Sequence, residues 1–175
     1  MSGVTLHAIT VLGHDRPGII AETTEQLAAL GLNLEDSSMT LLRGHFAMTL
    51  ICAGDTTVAA VEQALAPLAA DGTLTVTVRE VPEERPGRPA GSAWVLTVHG
   101  GDRAGIVSTV AHEIAAVGGN ITDLTTRLAG DLYLLIAELD LPADTDVSGL
   151  EDALRDAAQR LGVGVTLREA EADDL

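Results

Sequence analysis

Two short stretches of this chain carry the residue types that can hold an anion beside a polar side chain. The first is His14, Asp15, Arg16, Pro17, Gly18 and Ile19; the second is Asp102, Arg103, Ala104, Gly105 and Ile106. Each stands before a run whose inward positions step by 4, 4 and 3, namely Ile19, Thr23, Leu27, Leu30 and Ile106, Val110, Ile114, Val117, the spacing of one helix face. A loop that opens a helix presents unpaired backbone N–H groups and the positive end of the helix dipole, so it attracts a carboxylate. Gly18 and Gly105 let a ligand come close to that backbone. Asn33 and Asn120, beyond each helix, offer donor and acceptor together, which suits a zwitterion with ammonium and carboxylate groups. The same residues also have a purely structural reading: Asp15 and Asp102 as helix N-caps, Pro17 as a first-turn proline, Gly18 as a packing glycine, and Asn33 as a left-handed residue after the helix stop. The two readings are compatible, because a cap geometry is what builds an anion site. Arg16 and Arg103 read first as solvated or ion-paired side chains.

The two stretches are copies. Gly18 and Gly105, like Asn33 and Asn120, are 87 residues apart, and ten of the 24 positions from Gly13 to Asp36 are identical at that offset. Solenoid repeats recur at roughly 20 to 50 residues, so this period marks a duplicated small domain. Within the first copy, strands are predicted over residues 4–12, 33–43, 45–53 and 74–80. Helices are predicted from Ile19 to a stop at Gly31, and over Val58, Val61, Leu65 and Leu68 to a stop near Asp71-Gly72. The second copy repeats the order, with strands over 93–99, 120–129, 132–140 and 163–169 and a last helix through Leu150, Leu154, Ala157 and Leu161. Each half thus reads as β-α-β-β-α-β, an α+β unit of the ferredoxin-like kind with two helices on one face of a four-stranded antiparallel sheet. The first domain is expected over 1–81, the second over 93–170. A linker with three prolines and four charges fills 82–92, and an acidic tail follows over 171–175. Apolar residues on both faces of a strand, Tyr133, Leu135 and Ala137 against Leu132, Leu134 and Ile136, imply a second layer or another chain. Halves this small are expected to pair through sheet edges, in a homodimer.

Composition removes several classes of function. Ten Lys and Arg against 26 Asp and Glu give a net charge of −16, which repels phosphate backbones and anionic membranes. No segment reads as a secretion signal or membrane span, so a cytoplasmic protein is expected. Cys52 stands alone and reads as a buried, reduced thiol. His112-Glu113 begins like a zinc-protease helix, but Ala116 stands where the second histidine would be. His7, His14, His45 and His99 are scattered without Cys or carboxylate partners at ligand spacing. No nucleotide loop or nucleophile elbow is present, so no metal, cofactor or catalytic residue is assigned.

An apolar strand, then Asp15-Arg16-Pro17-Gly18-Ile19-Ile20-Ala21, a helix, and Gly31-Leu32-Asn33-Leu34 opening the next strand resembles the ACT domain, a small amino-acid-sensing module. The second copy is similar, with Ala104 in place of the proline and Gly118-Gly119-Asn120-Ile121 after its helix. The resemblance implies a ligand lying between two modules, bounded by His14 to Ile19 and Asn33, and by Asp102 to Ile106 and Asn120. It implies a non-enzymatic regulator that binds a glycine- or serine-like amino acid and controls a protein partner in the transcription of glycine cleavage or one-carbon metabolism. The alternative is a regulatory subunit that docks on a metabolic enzyme. Pro17 restrains the first loop where Ala104 does not, which makes the first copy the expected tighter site.

Overall fold

A computed structural model describes residues 4–82 and 91–171. Most of the expected linker and tail, residues 83–90 and 172–175, lies outside the described residues. The chain divides into two compact units, Met1–Arg85 and Pro86–Leu175. The first contains β1 (Thr5–His14), α1 (Ile19–Ala29), β2 (Asn33–Leu42), β3 (His45–Gly54), α2 (Val58–Leu65) and β4 (Leu74–Val81). The second contains β5 (Ser92–Gly101), α3 (Ile106–Ala116), β6 (Asn120–Ala129), β7 (Leu132–Leu141), α4 (Val147–Leu161) and β8 (Val163–Glu169). Each unit is one antiparallel sheet, ordered β2-β3-β1-β4 and β6-β7-β5-β8. These are two ferredoxin-like modules, as the duplication predicts. Even the irregularity is repeated: β2 is bulged between Leu34 and Asp36, β6 between Ile121 and Asp123. No described helix is long and apolar enough to cross a membrane.

Strand alternation decides which side the helices cover. Ile9 and Val11 of β1, Phe46, Met48, Leu50 and Cys52 of β3, and Leu74 and Val78 of β4 are buried with Ile19 and Leu27 of α1 and Val61 and Leu65 of α2. The second core repeats this with Leu96, Val98, Leu135, Ala137, Leu139 and Leu141 under Ile106, Val110, Ile114, Leu150 and Leu154. The apolar residues on the other face of β7 are not enclosed: Leu132 and Ile136 are 56 % and 41 % exposed. The edge strand β2 is exposed along most of its length, with Leu34, Met39, Leu41 and Leu42 between 44 % and 51 % accessible.

Two elements differ from expectation, and one core residue differs from its duplicate, each for local reasons. The second helix of the first unit ends at Leu65 and passes into a 3-10 turn, Ala66–Ala69, because Pro67 cannot donate to a continuing α-helical ladder. Strand β1 does not stop at Gly13 but runs to His14. A side chain at Gly13 would run into the Thr73 carbonyl oxygen, so glycine allows β1 and the start of β4 to touch there. The third difference is inside the core. His7 is fully buried on the helix side of β1, opposite Cys52, and neither ring nitrogen has a hydrogen-bond partner. In the duplicate the corresponding pair is Trp94 and Leu139, whose indole N–H donates to Ser92 at 2.8 Å. Burial raises the Cys52 thiol above its ordinary value, with the Glu35 charge adding to it, so the thiol stays protonated.

An unpaired buried imidazole costs stability that an apolar side chain of similar size does not. Replacing His7 with Leu should therefore stabilise the first module by about 1 kcal/mol. Thermal unfolding followed by circular dichroism should show a midpoint higher by roughly 4 to 8 °C; a lower midpoint would mean that the ring has a partner.

Candidate functional site

The end of β1 is fixed from both sides. The His14 N–H donates to the Thr73 carbonyl at 3.0 Å and the Asp15 N–H to the Gly44 carbonyl at 3.2 Å, which ties the start of the loop to β4 and to the β2–β3 turn. The chain then has to reverse into α1 within a few residues. It does so through Gly18, the N-cap, at φ 93 and ψ −6, in the left-handed region that L side chains avoid. Gly105 repeats the turn at φ 93 and ψ 1. Helices α1 and α3 open with the bonds Glu22 N–H to Gly18 C=O and Thr109 N–H to Gly105 C=O, both 2.9 Å. Neither N-cap has a side-chain hydrogen bond, so no side chain caps the first-turn N–H groups. The reading of Asp15 and Asp102 as caps is corrected here, because glycine holds the cap position. Pro17 likewise precedes the cap rather than filling the first turn.

Beside the first loop lies a depression of about 450 Å³ lined by Asp15, Arg16, Gly18, Ile19, Ile20, Ala21, Met39 and Phe46. Ile19 is its fixed wall, 2 % exposed and held in the core, while Asp15 and Gly18 are open to solvent. Arg16 is ion-paired rather than free. Its Nη1 and Nη2 donate to Oε1 and Oε2 of Glu22, each at 2.9 Å. The hydrogen bond with Glu22 pushes the Arg16 guanidinium above its ordinary value, with the Asp71 charge a smaller cause, and the same bond holds the Glu22 carboxyl below its own. The pair is therefore intact at neutral pH and is lost as acid protonates Glu22. Sequence reasoning missed Glu22, Met39 and Phe46. Arg16 precedes the helix, so its pairing six residues on follows no helical spacing rule, and Met39 and Phe46 arrive only through the pairing of β2 with β3.

In the second copy Asp102, Arg103, Ala104 and Gly105 are exposed and Ile106 is buried. Among the described residues no hydrogen bond or ion pair of the Arg103 side chain is found.

The asparagines are elsewhere. Asn33 opens β2 opposite Ala53, which in turn pairs with Leu6 at the start of β1. The loop follows His14 at the other end of β1, beside the β2–β3 turn. Nine residues of strand at roughly 3.3 Å each put Asn33 about 30 Å from the loop of its own module. Asn120 opens β6 opposite Asp140, again at the far end from its loop. Neither asparagine is a left-handed turn residue after the helix; both are the first residues of strands.

The glycine turns make a sharp test. Gly18→Ala and Gly105→Ala should each destabilise the chain by about 1 to 2 kcal/mol from backbone strain alone, measured by urea denaturation. Unchanged midpoints would show that these turns relax into another geometry.

Comparison with known proteins agrees with the two-module fold. The ACT domain family matches residues 6–79 and 93–168, one match per module. The chain is 30 % identical over 156 residues to the glycine cleavage system transcriptional repressor of Escherichia coli K12, covering 84 % of this chain and 80 % of that one. A UPF0237 protein of Methanopyrus kandleri is 36 % identical over 75 residues, 42 % of this chain and 83 % of its own. Among solved structures, an unknown protein from Galdieria sulphuraria superposes with a TM-score of 0.78 at 26 % identity, covering 96 % of this chain and 99 % of that one. A candidate glycine cleavage system transcriptional repressor shares the fold with a TM-score of 0.69 at 16 % identity, over 95 % and 98 % of the two chains. The chain belongs to the ACT domain family, as a tandem of two such modules.

Proposed function

We propose that this chain is a non-enzymatic regulator that binds a glycine- or serine-like amino acid at the loops opening α1 and α3. It passes that state to a protein partner controlling the transcription of glycine cleavage or one-carbon metabolism. The observation that carries the reading is the match to the Escherichia coli repressor, which at 84 % of this chain is too long for one module. The uncapped first-turn N–H groups at Gly18 and Gly105 are suited to a carboxylate. A net charge of −16 favours control through a protein over contact with DNA. Loop and asparagine of one module are too far apart to hold one small ligand together.

Isothermal titration of the full chain with the twenty amino acids tests this. Heat is expected from glycine or serine, and Asn33→Ala should weaken binding by about 1 to 3 kcal/mol by leaving a ligand group unpaired. No heat from any amino acid would refute the ligand. Equal affinity in wild type, Asn33→Ala and Asn120→Ala would confine the site to the loops. Affinity capture from cell extract that retrieved a metabolic enzyme instead of a transcriptional regulator would assign the regulation to that enzyme.

The reading includes a homodimer, supported by the open edge of β2 with its four exposed apolar side chains. Two chains of this charge repel each other, and salt screens that repulsion. Light scattering at micromolar concentration should give a dimer whose dissociation falls as salt rises; a monomer at every salt concentration would refute it.

A further inference from the structure

We propose that Glu22 gates the first loop: its carboxylate pairs with Arg16, the cation that a ligand carboxylate at the start of α1 would otherwise meet, while the second loop carries no such internal acid. The inference rests on the loop-binding reading above and says which copy that reading favours.

Two N–H donors of the Arg16 guanidinium, one on each Nη, are directed at one carboxylate, at 2.9 Å each. That carboxylate is folded back over the helix start, since Glu22 Oε1 lies 3.4 Å from where a side chain at Gly18 would begin. It makes no hydrogen bond to the first-turn N–H groups, so its hold is on the arginine beside them. A ligand entering the depression lined by Arg16, Gly18, Ile19 and Met39 meets an arginine already neutralised by this chain's own acid.

The duplicate supplies the contrast. At the offset of 87 the residue matching Glu22 is Thr109, which is neutral and too short to reach Arg103 as Glu22 reaches Arg16. The nearest atom to a side chain at Gly105 is Ser108 Oγ, at 3.8 Å. One loop carries an internal carboxylate and its copy does not. An exposed ion pair contributes little stability, so an incoming carboxylate can displace it at a modest cost in affinity. This reverses the expectation from Pro17, since order in the first loop does not help a site whose arginine is occupied.

Glycine, and serine in a second series, are titrated into the full-length wild type, Glu22→Ala, Arg16→Ala/Glu22→Ala and Thr109→Glu, following the Gly18 and Gly105 amides separately by NMR. All three substituted positions are at least partly exposed, and circular dichroism checks that each variant keeps its fold. In wild type Gly105 should respond at lower ligand concentration than Gly18. Glu22→Ala should tighten binding at Gly18 by about two- to fivefold. That gain should vanish when Arg16 is also replaced, and Thr109→Glu should weaken binding at Gly105 by a similar factor. Equal affinities at the two loops, unmoved by Glu22→Ala and Thr109→Glu, would overturn the gate and leave the loop-binding reading intact. No response at either loop in any variant would overturn both.

Discussion

The proposed binding site depends on one backbone constraint, the reversal from a central strand into a helix through a glycine in the left-handed region. Strand β1 is held on both sides up to its last residue by its bonds to Thr73 and Gly44, so the loop cannot borrow length from it. The close approach of Gly13 to Thr73 leaves no room for a side chain to loosen that end. What remains is a turn at φ 93 in both modules, with the helix starting one residue later. The turn leaves the first N–H groups without a side-chain cap, and the core position of Ile19 or Ile106 keeps them in place. Backbone N–H groups held this way could receive an anion only if they stay in place, because they cannot adjust as a side chain can.

Duplication makes the two modules controls for each other. Strand order, bulge and glycine turn are common to both, which marks them as requirements of the fold. Among the differences are several around the loop and one core pair whose polar chemistry changes. Glu22 becomes Thr109, Met39 becomes Thr126, Phe46 becomes Tyr133, and His7 opposite Cys52 becomes Trp94 opposite Leu139. The proposed unequal affinities would follow from one backbone carrying different side chains at the loop.

Much of this was legible in the sequence because the signals were periodic or local. The 4, 4, 3 spacing of Ile19, Thr23, Leu27 and Leu30 located α1, and Gly31 marked its stop. The repeat fixed the order of elements in both halves before any packing was known. Registry was less accessible. That Asn33 and the loop sit at opposite ends of one sheet follows from which residues pair across β2, β3 and β1, a long-range fact that short motifs do not encode. The burial of His7 without a partner was equally hidden, because alternation places a residue on a face but does not say what its polar atoms meet. The pairing of Arg16 with Glu22 escaped for a geometric reason, since the left-handed turn at Gly18 folds the loop back over the first turn of the helix.

The most direct measurement is a structure of the full chain with saturating glycine or serine. The account predicts the ligand carboxylate within about 3 Å of the N–H groups that open α3 or α1, with its ammonium turned away from the helix start. A ligand bound elsewhere on either module, or loops left empty at saturation, would contradict it.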